Sequence, residues 1–471
     1  MKILYVASEA APYAASGGLG DVMGSLPQEI QAQTGDDVGV ILPLYSSVSP
    51  AYREKMTLLD SFTFPYGWRK SYCGVYHLKE GGVDWFFIDN EQYFKRATMY
   101  GQQDDGERYA YFCQAVIQVM LRGYFVPDVL HANDWQTALS VIYLKLNYYA
   151  HSTLSHIKTV FTIHNIEYQG KYGMDILGDI FSISYENANV LEYDGCINLL
   201  KGAVVCADKV TTVSPNYANE LREPYFAYGL SPIIRMFGSK MSGIINGLDV
   251  AYFNPEKEDI PFAYSVGNLA DGKKQNKRHL QKALGLPEVD APLIVMITRL
   301  TEGKGVDLVL HVFEELMQEN LQFVLLGTGD ARYEELFSLL ASRYPEKARA
   351  LIKFDRLLSK EMYAAADIFL MPSKTEPCGL AQMIACRYGT VPVVHGVGGL
   401  ADSIVPYSEE NSNGFVFRHF NAHDMLFRIK DALALYENKT EWEKLTLRAA
   451  QSDFTWQVSA KGYLALYRQI L

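Results

Sequence analysis

Cysteine is scarce in this chain. Six thiols are spread over 471 residues, at positions 73, 113, 196, 206, 378 and 386, and no C-x-x-C pair occurs. That distribution excludes a disulfide framework and fits a reducing compartment. Long hydrophobic runs are also missing: no stretch approaches the roughly 20 apolar residues of a membrane helix. The apolar start of MKILYVASEA is cut at Glu9, which reads as a buried first strand rather than a signal peptide. Positive charge is in deficit as well. Lys and Arg number 43 against 54 Asp and Glu, a formal charge of −11. Partners that reward clustered cations, nucleic acids and anionic membranes, are therefore excluded. A neutral polymer such as a polysaccharide is indifferent to that charge. The chain reads as soluble and cytoplasmic.

What is present is a globular composition, 49% hydrophobic and 21% charged, in a chain long enough for two domains. Short apolar runs recur between helical patterns. The predicted strands are Ile3–Ala7, Val38–Leu42, Trp85–Ile88, Asp128–His131, Thr159–Ile163 and Lys209–Val213. They continue with Leu293–Thr298, Gln322–Leu326, Leu351–Phe354, Ile368–Met371 and Val391–Val394. Runs that are apolar throughout, rather than alternating, suit a parallel sheet covered on both faces. The fold class is α/β, with two Rossmann-like doubly wound domains. Ligands of such sheets sit beyond the carboxyl ends of the strands, so two facing units would make an interdomain cleft. The pattern pauses over Asn254–Asp290, a polar stretch containing NPEKEDIP and NLADGKKQNKRH. The boundary is placed at 245, with domains 1–245 and 246–454.

Three segments carry chemistry. Ser16-Gly17-Gly18-Leu19-Gly20-Asp21 follows the first strand, where glycines let backbone N–H groups approach an anion. It is either a phosphate turn or a tight connection that binds nothing. A dinucleotide fingerprint fails, because the third glycine, Gly24, comes one residue late and no acid ends the second strand. In the second half, Glu376 stands in PSKTEPCGL between strand IFLM and a helical segment. A carboxylate there accepts two sugar hydroxyls, or merely complements a helix start. Arg299 and Lys304 in TRLTEGKGVD follow strand LIVMI, as a diphosphate clamp or as solvated loop charges. No Asp-x-Asp motif or His/Cys cluster offers a metal a site, and no cofactor is expected.

The segments FTIHNIEYQG, KGAVVCADKVTTVSPNYANE, GIINGLDVAYFNP, TRLTEGKGVDL, EPCGL, RYGTVPVVHGVGGLAD and FTWQVSAKGYLALY, in that order, resemble bacterial glycogen synthases and plant starch synthases. The resemblance spans the whole chain. It implies a GT-B fold whose C-terminal helix, 455–471, crosses back to the first domain. It also implies transfer of glucose from the nucleotide sugar ADP-glucose to the 4-hydroxyl of an α-1,4-glucan acceptor, with retention of configuration. The first domain would take the acceptor and the second the donor. By matched position, Gly18 and its loop face the donor diphosphate and Asp21 lies near the donor sugar. Asp134 is the acid near sugar and acceptor, and His164 and Asn165 sit beside the anomeric carbon. Asn246 contacts the donor, Arg299 and Lys304 clamp the diphosphate, and Glu376 binds the glucose hydroxyls. Cys378 and Gly379 act through the turn, and Phe354 stacks on adenine. His131 and His395 are read as structural.

The sequence departs from this family at four places. Ala15 stands where lysine is usual, Ala381 where threonine is usual, Thr375 where an aromatic is common and Phe253 where tryptophan is usual. Each lost charge-assisted contact costs about 1.5–3 kcal/mol, roughly one to two decades in rate or affinity. The alternatives are an altered nucleotide preference, or a glucan-binding paralogue with weak turnover.

Overall fold

A computed structural model describes residues 1–257 and 259–471. Glu258, in the polar stretch of the domain boundary, lies outside the described residues. The chain divides into two compact units, Met1–Gly247 with Trp456–Leu471, and Leu248–Thr455. The long segment of the first unit thus ends at Gly247, two residues beyond the boundary read from the sequence, so that Asn246, read as the start of the second domain, belongs to the first unit. The reason is local: a Cβ on Gly247 would fall 2.6 Å from the backbone of Trp456, so this segment is packed against the returning C-terminal helix.

The first unit holds strands β1 (Lys2–Val6), β2 (Asp37–Pro43), β3 (Thr57–Tyr66), β4 (Arg69–Glu80), β5 (Val83–Asp89), β6 (Val129–Asn133) and β7 (Lys158–Ile163). It continues with a small sheet of β8 (Lys171–Tyr172), β9 (Glu192–Tyr193) and β10 (Cys196–Asn198), then β11 (Lys209–Thr212) and β12 (Met241–Gly243). The main sheet runs β12-β11-β7-β6-β1-β2-β5-β4-β3. Its strands from β12 to β5 are parallel, and β4 and β3 add antiparallel at one edge. Ile3, Leu4, Tyr5 and Val6 are all fully buried, as a strand covered on both faces requires.

The second unit holds β13 (Leu293–Ile297), β14 (Gln322–Leu326), β15 (Ala348–Leu351), β16 (Ile368–Met371), β17 (Val391–His395) and β18 (Phe415–Phe417). All six are parallel, in the order β15-β14-β13-β16-β17-β18. Renumbered from one, that is 3-2-1-4-5-6, the doubly wound Rossmann order. Its strand faces and helices close one large core, from Ile294 and Phe323 to Met425 and Leu445.

One reading of the strands needs correction, and one hairpin falls outside the predicted runs. Leu351–Phe354 is not a strand: β15 ends at Leu351, because Asp355 accepts the N–H of Leu358 and turns the chain into the helix Arg356–Ala365. The hairpin β3–β4 was not anticipated. Its first strand alternates between exposed and buried residues, which a search for continuous apolar runs passes over. The helix Trp456–Ile470 belongs to the first unit, where Tyr467 shares a hydrogen bond of 2.8 Å with Tyr5 and one of 2.7 Å with His131 Nδ1. His131 Nε2 meets Thr162 Oγ1 at 2.6 Å. His131 is thus a structural histidine, fully buried and kept neutral by that burial. Among the described residues no helix is long and apolar enough to cross a membrane.

Candidate functional site

In each sheet the strand order reverses beside the unit's first strand. Gly18, Asp21 and Asp134 lie beyond β1 and β6, and Arg299, Lys304, Glu376, Cys378 and Gly379 beyond β13 and β16. His164 and Asn165 instead follow β7, and Asn246 and Phe354 follow the edge strands β12 and β15. In the first sheet the order reverses between β1 and β6. The connection after β1 folds over itself: Ala10 and Ala14 exchange backbone hydrogen bonds, and Ala11 N–H donates to Gly20 O at 2.9 Å. It delivers the chain into the helix Gly18–Thr34, whose N-cap Gly17 is extended and supplies no side-chain cap. The first N–H groups of a helix have no intrahelical partner. Space for a Cβ exists at Gly18, where nothing lies within 4 Å, but not at Gly20, where Ala15 would stand 2.5 Å away. Gly20 is therefore obligatory for the turn, whereas Gly18 leaves its surroundings open. Asp21 lies in the first turn and is exposed.

Asp134 follows β6 with a positive φ of 60°, a conformation unusual outside glycine and characteristic of constrained functional positions. Its Oδ1 accepts the backbone N–H of His164 at 2.7 Å, tying the end of β6 to the end of β7. Burial pushes its carboxyl up to about 7; the N–H groups of His164 and Asn165 pull the other way, and neighbouring Glu9 adds to the rise. His164 Nε2 meets Asn133 Oδ1 at 3.0 Å. The amide of Asn133 donates to Val6 O and His131 O, which turns its oxygen toward His164. That network assigns the ring proton to Nε2 and leaves Nδ1 as an acceptor. Burial lowers the imidazole to about 3, so it is neutral at physiological pH. Asn165 Oδ1 accepts the Glu167 N–H at 3.0 Å. Asn246, 6% exposed, has an Oδ1 without a hydrogen-bond partner among the described residues.

In the second sheet the reversal lies between β13 and β16, which pair directly. Lys304 comes from the loop after β13 and Glu376 from the loop after β16, and they form an ion pair of 2.6 Å. Their side chains are only 21% and 11% exposed. The two loops are locked together: Lys374 N–H donates to Gly303 O at 3.0 Å, and Gly305, at φ 67°, has Pro372 O where a Cβ would be. On the other flank Gly399 N–H donates to Glu376 O at 3.0 Å. His395 Nδ1 holds Ser373 O at 2.8 Å, the structural role expected of it. Gly379, at φ 74°, completes the turn, and Gln382 Nε2 donates to the carbonyls of Cys378 and Gly379. Arg299 follows β13 and is exposed; among the described residues its guanidinium has no hydrogen-bond or ion-pair partner. Phe354 is 80% exposed, with the Arg356 guanidinium 5.8 Å from its ring. Among the described residues no group of three or more His, Cys, Asp or Glu side chains is placed to hold a metal ion.

One residue of this architecture was missed. Glu9, 4% exposed, accepts the backbone N–H of Ser16 at 2.5 Å and its hydroxyl at 2.8 Å, beneath the glycine turn. The only signal in the sequence was an acid that cuts the apolar run shortly after the first strand.

Comparisons with known proteins cover the whole chain. The family model for the starch synthase catalytic domain matches residues 2–236, and that for glycosyl transferases group 1 matches residues 277–446. The glycogen synthase of Geobacillus thermodenitrificans is 46% identical over all of this chain and 98% of its own length. That of Streptococcus agalactiae serotype III is 45% identical over the full length of both. Among solved structures, the catalytic domain of starch synthase IV from Arabidopsis thaliana, bound to ADP and acarbose, matches with a TM-score of 0.88 at 32% identity, covering 99% of each chain. Sucrose-phosphate synthase from Thermosynechococcus elongatus matches at 0.59 and 17% identity over 100% of this chain and 98% of its own, a likeness of fold alone.

Proposed function

This chain belongs to the glycogen synthase and starch synthase family, hexosyltransferases of the GT-B fold, and we propose that it transfers glucose from ADP-glucose to the 4-hydroxyl of an α-1,4-glucan with retention of configuration. The observation that carries this reading is the Lys304–Glu376 pair at the strand-order reversal of the second unit. A nucleotide sugar presents hydroxyls beside a diphosphate. A carboxylate next to an ammonium matches both, the first as hydroxyl acceptor and the second as phosphate partner. The ADP in the starch synthase IV structure supports adenine as the base.

In this reading Lys304 and Arg299 neutralise charge on the departing diphosphate, Glu376 orients the glucose, and Phe354 offers its exposed ring to adenine. Cys378 and Gly379 shape the turn. Gly18 and its loop face the diphosphate, Asp21 and Asn246 contribute to the donor, and Asp134, His164 and Asn165 stand by the sugar and acceptor. The anomeric carbon–oxygen bond to phosphate breaks as the bond to the acceptor oxygen forms. The acceptor proton passes to a phosphate oxygen of the leaving ADP. His164, neutral and with no partner on Nδ1 among the described residues, serves as a hydrogen-bond acceptor and not as a cation. No metal or cofactor takes part in this scheme.

A second reading, altered nucleotide preference, is favoured by Ala15, whose exposed methyl stands on the turn without any charge for a phosphate. A panel of ADP-, UDP- and GDP-glucose with glycogen as acceptor decides. ADP-glucose is expected to give the highest kcat/KM. Equal or higher transfer from another donor favours the second reading, and no transfer from any donor by folded protein overturns the proposal. Ala15→Lys is expected to raise kcat/KM by about 10-fold.

A further inference from the structure

Glu9 is a nearly buried carboxylate that the proposed reaction does not use. It sits three residues beyond β1, and its Oε2 takes both the N–H and the hydroxyl of Ser16. Its Oε1 lies 3.7 Å from where a Cβ of Gly17 would be. Burial raises its pKa, while the backbone N–H groups of Ser16, Gly17 and Gly20 oppose that rise. A negative group beneath a phosphate-facing turn is at first sight adverse, since like charges repel. Here its lone pairs are occupied by the turn itself, so its charge is spread into the N–H groups on the buried side. What remains outward is the opening of the helix at Gly18, with clear space around it. Among the described residues, both hydrogen bonds that join the turn Ser16–Gly20 to a side chain elsewhere end on Glu9, and no side-chain cap holds the helix start.

We infer that Glu9 is a positioning residue for donor binding: it holds the Ser16–Gly20 turn in the one shape that presents its outward N–H groups to the diphosphate. This rests on the reading of the chain as a nucleotide-sugar transferase, and it assigns Glu9 no contact with substrate. A purely architectural role would disturb donor and acceptor alike; a positioning role acts on the donor.

The test is ADP binding by titration calorimetry, with steady-state kinetics beside it. Glu9→Ala is expected to weaken ADP binding and raise the KM for the donor by about 10-fold or more, with kcat reduced less. Retention of the protein on glycogen in affinity electrophoresis is expected to stay unchanged. Glu9→Gln, which keeps an acceptor for Ser16, is expected to remain within about three-fold of the parent. Ser16→Ala, which deletes one of the two bonds without touching the buried acid, is expected to weaken ADP binding about three-fold and serves should Glu9→Ala not fold. The inference is overturned if ADP affinity is unmoved in Ser16→Ala, if Glu9→Ala weakens ADP and glycogen binding equally, or if Glu9→Gln is as impaired as Glu9→Ala. Failure of the proposed function is a separate result, seen as absence of transfer by the parent protein, whereas ADP binding needs no turnover.

Discussion

Asp134 combines a positive φ, a bond to the backbone of His164 and a carboxyl that titrates near 7 against an ordinary 3.8. Because the folded chain holds that proton more tightly than the unfolded one, the contribution of this group to stability is fully present below about pH 4 and is lost as pH rises through about 7. Asp134→Asn keeps the acceptor for His164 and removes the titration. Its melting temperature relative to the parent is expected to improve from pH 5 to pH 8, while transfer activity drops; equal offsets at both values would contradict the assignment. Lys304 and Glu376 form the other residue-scale test. Lys304→Met strands a carboxylate that is 11% exposed, at a cost of about 1–3 kcal/mol, and transfer is expected to fall about 100-fold. Adding Glu376→Gln should restore much of the stability and none of the activity, which a double-mutant cycle in denaturant reads directly.

At the scale of elements, the second site is two loops held edge to edge. Gly305 carries a positive φ and stands where any Cβ would overlap Pro372 O. Gly305→Ala is expected to destabilise by about 1–3 kcal/mol and to lower activity more than that loss of folded protein accounts for, because the loop bearing Lys304 must shift against the loop bearing Glu376. Kinetics at a temperature where both proteins are fully folded separates the two effects. The elements also explain which parts of the site were legible. Arg299, Lys304 and Glu376 follow strands that are apolar throughout, so their placement at a sheet edge could be read from the run itself. Phe354 was placed on a strand and is instead on an exposed connection, because the helix cap at Asp355 turns the chain early.

In chain order, a contiguous unit interrupts a discontinuous one. Leu248–Thr455 begins and ends on a bridge between Leu248 and Thr455 and has its own sheet and core. Expressed alone, this fragment is expected to unfold cooperatively in a thermal melt. Met1–Gly247 alone is not, because without Tyr467 the buried His131 Nδ1 and Tyr5 hydroxyl lose their partner. Tyr467→Phe isolates that bond, with an expected cost of about 1–3 kcal/mol. Joining Gly247 to Trp456 by a short linker should restore cooperative unfolding of the first unit; a melt unchanged by the added helix would show that it contributes nothing to that core.

By itself the sequence determined the α/β class, the parallel strands and the order of the blocks, since these follow from local apolar runs and from residues adjacent in the chain. It also identified the charged candidates of the second unit, whose two loops the neighbouring strands β13 and β16 then brought together. Only the tertiary structure decided the strand order, the Lys304–Glu376 pair, the shifted titration of Asp134 and the part of Glu9. Each of those depends on groups distant in sequence meeting where water is excluded, and burial and partner identity are properties that no short stretch of residues possesses.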